Sequence, residues 1–247
     1  MKYIDLHCDT LTKSFDEKLS FKDGDLQINL DKLKKSGCSA QCLAIFTEGQ
    51  GADSRFRSYA GYFNDCMRLY GNVRFIKDYS DLKYCLDGGG TGVILTVENL
   101  GFVSSADEID GLYSLGVRMA SPVWNYENRL AYPNLIFEDG LPLFEKRERR
   151  GLKKFGREII EKLDEKRIIV DISHLSDGGA EDILAGRKIP LVASHSNCSA
   201  VCNVARNLTD GLIKKIAGCG GVVGVNFCKD FLGSGSSFDR VLDNIKH

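Results

Sequence analysis

The sequence predicts an α/β protein of the (β/α)-barrel type, and three observations carry that reading. Short β-branched or apolar runs alternate with longer amphipathic stretches, the pattern of successive βαβ units around a parallel sheet. Several runs, such as the one from Val93 to Val97 and the one from Ile168 to Ile172, are nearly continuous in apolar residues, as strands covered on both faces should be. Polar residues able to do chemistry stand at the ends of several different runs, where a barrel places its active site.

In chain order the expected strands are Tyr3–Leu6, Ser39–Phe46, Gly92–Val97, Gly116–Val123, Ile168–Ile172, Leu191–Ala193 and Gly221–Asn226. Between them, Leu152, Phe155, Ile159, Ile160 and Leu163 recur at helical spacing among Lys, Arg and Glu. Leu208, Thr209 and Asp210 lead into a stripe of Leu212, Ile213 and Ile216, which Gly218 and Gly220 close. Ser236 and Ser237 offer caps for a final helix whose inner face would be Phe238, Val241, Leu242 and Ile245. Seven strands fit an eight-stranded barrel lacking its last unit, or an open doubly wound sheet. The open sheet would gather its chemistry at one switch point behind a glycine-rich turn. The one glycine cluster, Asp87 to Gly92, precedes a strand instead of following one, so it reads as a turn.

Composition narrows the function. The chain has 247 residues, 43% hydrophobic and 27% charged, with a formal net charge of −1. That is a globular balance without the basic surplus that phosphate backbones require, so nucleic acid is not an expected partner. Asp5 and His7 interrupt the N-terminal apolar run, and nowhere do roughly 18 apolar residues follow one another, so neither an export signal nor a membrane span is expected. The nine cysteines are scattered and include no C-x-x-C pair, which favours free thiols in the cytoplasm. No repeat, low-complexity tract or linker divides the chain, so one domain over residues 1–247 is expected.

Of the four histidines, His7, His174 and His195 each follow a strand run, while His247 ends the chain. A lone histidine in such a place is usually a satisfied core residue; three at equivalent strand ends point to a shared task. Carboxylates join them. His7 and Asp9, two apart, point the same way on an extended backbone while Cys8 points the other way. Glu98 directly follows a buried apolar run, where an ionised carboxylate is costly unless paired or metal-bound. Three imidazoles and two carboxylates exceed what one zinc with an open position needs. The set suits two divalent cations about 3.5–4 Å apart with one bridging carboxylate. Zinc is the first choice, and manganese or cobalt also accept nitrogen and oxygen donors.

The segments DLHCDT, VENLG, GVRMASPVWNYEN, VDISH and SHSNCSAVCNVARNLTD, in this order, resemble the membrane (renal-type) dipeptidase family, peptidase family M19. The similarity runs from residue 1 to the chain end. It implies a metal-dependent hydrolase barrel with two zinc ions that hydrolyses dipeptides by a metal-bridging hydroxide, often tolerating a D-residue at the C-terminal position. It also implies that His7 and Asp9 bind one zinc, His174 and His195 the other, and that Glu98 bridges them as the catalytic carboxylate. Arg206 would then hold the substrate carboxylate, a task suited to a planar guanidinium. Family members commonly form homodimers.

Two departures stand out. Where the vertebrate-type pattern has a histidine after the fourth strand, this chain has Trp124 followed by Asn125. An indole N–H or a carboxamide can still donate to a developing oxyanion, or Trp124 packs against the substrate. The family pattern also continues into an eighth strand carrying a proton-shuttling aspartate, whereas this chain stops at His247. The expectation is therefore a C-terminally truncated barrel lacking its eighth strand and C-terminal helices. Two rival functions remain at this point: a different amidohydrolase-type metallohydrolase, and a truncated metal-binding relic without turnover.

Overall fold

The computed structural model describes residues 2–71, 73–235 and 237–247. They group into two compact units, Met1–Ala120 and Ser121–His247.

The first unit runs β1 (Tyr3–Asp5), α1 (Thr10–Asp16), α2 (Leu30–Ser36), β2 (Cys38–Phe46), α3 (Ala52–Leu69), β3 (Arg74–Phe75), α4 (Tyr79–Tyr84), β4 (Gly92–Glu98), α5 (Glu108–Leu115) and β5 (Val117–Ala120). Its strands are parallel in the order β1-β2-β4-β5, and β3 pairs with the start of β4. The long pairing joins β2 and β4, from Ala40 opposite Gly92 to Phe46 opposite Glu98. Both strands are buried along nearly their whole length, which explains their continuous apolar runs. Leu43, Ile45, Leu95 and Val97 are all removed from water, each contributing about 1.5–3 kcal/mol relative to exposure. Helix starts follow local chemistry: the side chains of Asn29 and Asp78 accept from the backbone N–H of Lys32 and Asp81 at α2 and α4.

The second unit contains β6 (Phe137–Glu138), β7 (Leu141–Pro142), α6 (Lys154–Glu165), β8 (Ile169–Val170), α7 (Asp177–Leu184), β9 (Val192–Ala193), α8 (Asp210–Gly218), β10 (Val222–Val223), α9 (Lys229–Leu232) and α10 (Ser237–Lys246). β9 and β10 are parallel, Asp171 bridges to Val192 in the same sense, and β6 and β7 form a small antiparallel pair. The α/β class and the parallel alternation expected from the sequence are present in both units.

Three differences have physical reasons. Several strands are shorter than expected because side chains replace the ladder. After β10, for example, Asn197 Oδ1 accepts from Asn226 N (3.0 Å), and Asn226 Nδ2 donates to His195 O (3.1 Å). The strand β3 and the β6–β7 pair, each of two-residue strands, carry no pattern long enough to read. The face expected to be inner on α10 is a correction: Phe238 is 71% exposed and Ile245 63%, while Asn244 is buried. Asn244 turns inward because its Oδ1 accepts from Cys198 N (2.8 Å) and its Nδ2 donates to Arg240 O (2.8 Å). The capping role expected of Ser236 and Ser237 lies outside the described residues. Helix α8, by contrast, starts as expected, with Thr209 accepting from Leu212 N.

Candidate metal centre

Two groups of candidate ligands form, one in each unit. In the first unit the chain stays paired to β2 beyond β1, since Cys8 N donates to Cys42 O (3.1 Å) and Ala44 N to Cys8 O (3.0 Å). That extended stretch puts His7 and Asp9 on one side, as their spacing predicted. His7 Nε2 lies 3.6 Å from Asp9 Oδ1 and 3.6 Å from Glu98 Oε2. Asp9 occupies the N-cap position of α1 yet makes no side-chain cap bond, and 62% of its side chain is exposed. Capping therefore does not account for its carboxylate. Glu98 is buried at the end of β4. The turn after it is fixed by Asn99, whose Nδ2 donates to Thr47 O (2.9 Å) and whose Oδ1 accepts from Gly101 N (3.1 Å). Asn99 holds φ 75°, in the left-handed region.

In the second unit the stretch after β8 brings His174 to face His195, which follows β9. Their Nε2 atoms are 3.0 Å apart. The opposite ring nitrogens are engaged elsewhere: His174 Nδ1 lies 2.7 Å from Asn125 Oδ1, and His195 Nδ1 lies 2.7 Å from Ser194 Oγ. His174 is buried, sits at φ 69° and is tied through its carbonyl to Asn134 N (2.6 Å). Trp124 is half-buried with its ring centroid 6.1 Å from that of His174. Asn125, expected to meet substrate, has its amide oxygen turned to a candidate ligand.

Arg206 is 1% exposed, its Nη1 donates to Ser196 Oγ (3.4 Å), and its guanidinium lies 5.7 Å over the ring of Phe231. This burial removes the surface-ion-pair explanation of Arg206. His247 pairs with Asp210 on the surface (2.9 Å). Burial pushes the thiol of Cys8, between His7 and Asp9, up to about 12.

The donor sets fit divalent metal. In the first, His7 Nε2 lies 3.6 Å from a carboxylate oxygen of Asp9 and 3.6 Å from one of Glu98, each within twice an ordinary metal–ligand distance of about 2.1 Å. In the second, 3.0 Å between two Nε2 atoms lets one ion reach both imidazoles. Hydrogen bonds on the far nitrogen of each ring are the arrangement that orients metal-binding histidines. Imidazole and carboxylate without thiolate are the donors of a hydrolytic site.

A family model, "Membrane dipeptidase (Peptidase family M19)", matches residues 1–247. The chain belongs to peptidase family M19. An uncharacterised protein in the pqqA 5′ region of Klebsiella pneumoniae is 31% identical over 163 residues, covering 66% of this chain and 59% of its own. An uncharacterised dipeptidase of Schizosaccharomyces pombe is 32% identical over 183 residues, 68% of this chain and 42% of its own. The chain thus spans less than two thirds of either relative. Among solved structures, a dipeptidase of M19 superposes with TM-score 0.88 at 24% identity, covering 100% of this chain and 80% of that one. A metallopeptidase from Rhodobacter sphaeroides, liganded with a phosphinate mimic of the dipeptide L-Ala-D-Ala, superposes with TM-score 0.87 at 23% identity, covering 100% and 81%. At these identities the likeness speaks for the fold, which the chain shares with both.

Asp171 and Ser194, which support the candidate ligands His174 and His195, stand inside the motifs VDISH and SHSNCSAVCNVARNLTD, where the motifs alone gave them no role. Asp171 lies buried inside the apolar run before His174, and Ser194 directly precedes His195. A lone aspartate within an otherwise apolar strand was the available signal, since burial without a partner is costly. No described helix is long and apolar enough to cross a membrane.

Proposed function

We propose that this M19 chain is a metal-dependent dipeptidase with a binuclear zinc centre, in which His7 and Asp9 hold one ion, His174 and His195 the other, and Glu98 bridges. The observation that carries the reading is the paired donor geometry, above all the two Nε2 atoms 3.0 Å apart with both Nδ1 atoms engaged elsewhere. When bound, such metals activate water and polarise the scissile carbonyl. The chain's own residues do the rest. The buried Arg206 guanidinium grips the terminal carboxylate of the substrate and so restricts turnover to short peptides. Trp124, beside His174, forms a wall for the substrate and presents an indole N–H towards the carbonyl oxygen. A reducing, cytoplasmic setting agrees with the nine cysteines, all of them free.

A panel of dipeptides including L-Ala-D-Ala and L-Ala-L-Ala, assayed with and without a chelator, tests the activity. Chelator-sensitive hydrolysis restored by zinc is expected, and chelator-insensitive hydrolysis would overturn the metal assignment. Glu98→Gln should lower metal content and turnover together. Full zinc occupancy with unchanged turnover in that variant would remove Glu98 from the bridge.

A further inference from the structure

The carboxylate of Asp171 is buried and engaged through both oxygens. Oδ1 accepts from Ser173 N (3.0 Å) and Ser194 N (2.9 Å), and Oδ2 accepts from the Ser194 hydroxyl (2.5 Å). A carboxylate has no proton to give in these bonds, so the Ser194 hydrogen is committed to Asp171. Towards His195 Nδ1, 2.7 Å away, Ser194 Oγ can then only accept. The proton of a neutral His195 ring must therefore sit on Nδ1, which leaves the lone pair on Nε2, the atom facing His174 Nε2. The same aspartate also fastens the backbone just before each histidine, at Ser173 and at Ser194. His195 N donates to Ser173 Oγ (3.2 Å), which ties the two strand ends together a second time.

We propose that Asp171 is a positioning residue that acts through Ser194, selecting the His195 tautomer able to ligate metal before any metal arrives. The inference rests on the reading of His174 and His195 as ligands and adds what readies one of them. It makes a directional claim that a packing role would not make. Replacing Asp171 by asparagine leaves size and shape nearly unchanged but puts an N–H₂ donor in the place of Oδ2. That amide donates to Ser194 Oγ, the Ser194 hydrogen swings to His195 Nδ1, and the ring is pushed into the Nε2–H form, which cannot ligate through Nε2. Ser194→Ala, in contrast, keeps both backbone bonds to Asp171 and merely stops selecting between tautomers. The near-isosteric change should therefore be the more damaging one.

The experiment uses the full chain with isotope-labelled histidine. Nitrogen-detected NMR of metal-free protein reads the His195 tautomer, and zinc and cobalt titrations against a competing chelator read affinity. Wild type should show Nδ1–H, Ser194→Ala a mixture, and Asp171→Asn the Nε2–H form. Affinity should fall about 10–100-fold in Ser194→Ala, the range for losing a partner that orients a ligand, and further in Asp171→Asn. Should Asp171→Asn fail to fold, Ser194→Ala alone decides: an unchanged tautomer and unchanged affinity overturn the proposal. A wild-type chain that binds no metal yet shows the Nδ1–H form would sink the metal reading and leave the relay standing. An Nε2–H ring in wild type would refute the relay itself.

Discussion

Helix α6 approaches its neighbours through Gly156, and replacing that glycine by alanine tests how tightly. A Cβ at this position would lie 2.1 Å from the carbonyl oxygen of Leu130, 2.9 Å from its carbonyl carbon and 3.3 Å from its Cα. Ordinary contact begins near 3.4 Å, so the helix or the Leu130 segment must retreat by 3.4 − 2.1 = 1.3 Å. The obstacle is backbone and cannot rotate away. Overpacking of this kind costs about 1–3 kcal/mol, here at the upper end. Retreat also weakens the bond from Lys153 N to Leu130 O (3.0 Å), worth about 1 kcal/mol. Against this stands about 1 kcal/mol of better helix propensity. The net loss is about 2–3 kcal/mol, or a melting point lower by roughly 4–12 °C for a chain of this length. Gly111, exposed within α5, is the internal control, because a Cβ added there would meet nothing within 4 Å. At that position the propensity term acts alone, and Gly111→Ala should melt about 2–4 °C higher. Thermal and urea denaturation of both variants provide the measurement. If the two substitutions shift stability in the same direction, the argument from close backbone approach is wrong.

Acid stability should carry the mark of Glu148, whose carboxyl accepts from Arg149 N and Arg150 N (2.9 Å each) and is held below the usual carboxylate range chiefly by the Arg150 guanidinium. A lowered folded-state pKa stabilises the fold above the unfolded value of about 4.3 and is lost as pH falls through the folded value, so Glu148→Gln should flatten the acid limb of stability against pH. Asp177 has the opposite sign, because its burial outweighs Arg147 and Arg149 and raises its carboxyl; Asp177→Asn should remove a contribution that grows as pH falls, and urea midpoints from pH 3 to 7 distinguish the two. Cys228 is the exposed thiol among nine, so a thiol reagent should label it first, and Cys228→Ser should abolish the rapid phase; a rapid phase that survives would place the reactive thiol elsewhere.

The extent to which structure was legible in sequence followed the length of each pattern. β2 and β4 announced themselves because both faces are buried, and Glu98 was conspicuous as the charge that ends such a run. His7, His174 and His195 stood out by position, each following a strand run. The support for them was less visible. Asn125 binds His174 across 49 positions and Ser194 depends on Asp171 across 23, distances at which no periodicity operates. On α10 the apolar stripe misled, because one buried amide with two hydrogen bonds outweighed the stripe in setting the helix rotation. The left-handed turn at Asn99 was readable in principle, since asparagine tolerates it; at His174 nothing in the sequence marks it.

That backbone at His174, with its neighbour in kind at Asn99, sets two demands against each other. A side chain held at positive φ stores on the order of 1 kcal/mol that glycine would release. The position that orients an imidazole is thus one at which the chain would rest more comfortably without it. Selection for heat resistance alone would erode this spot first, yielding sturdier proteins with poorer chemistry.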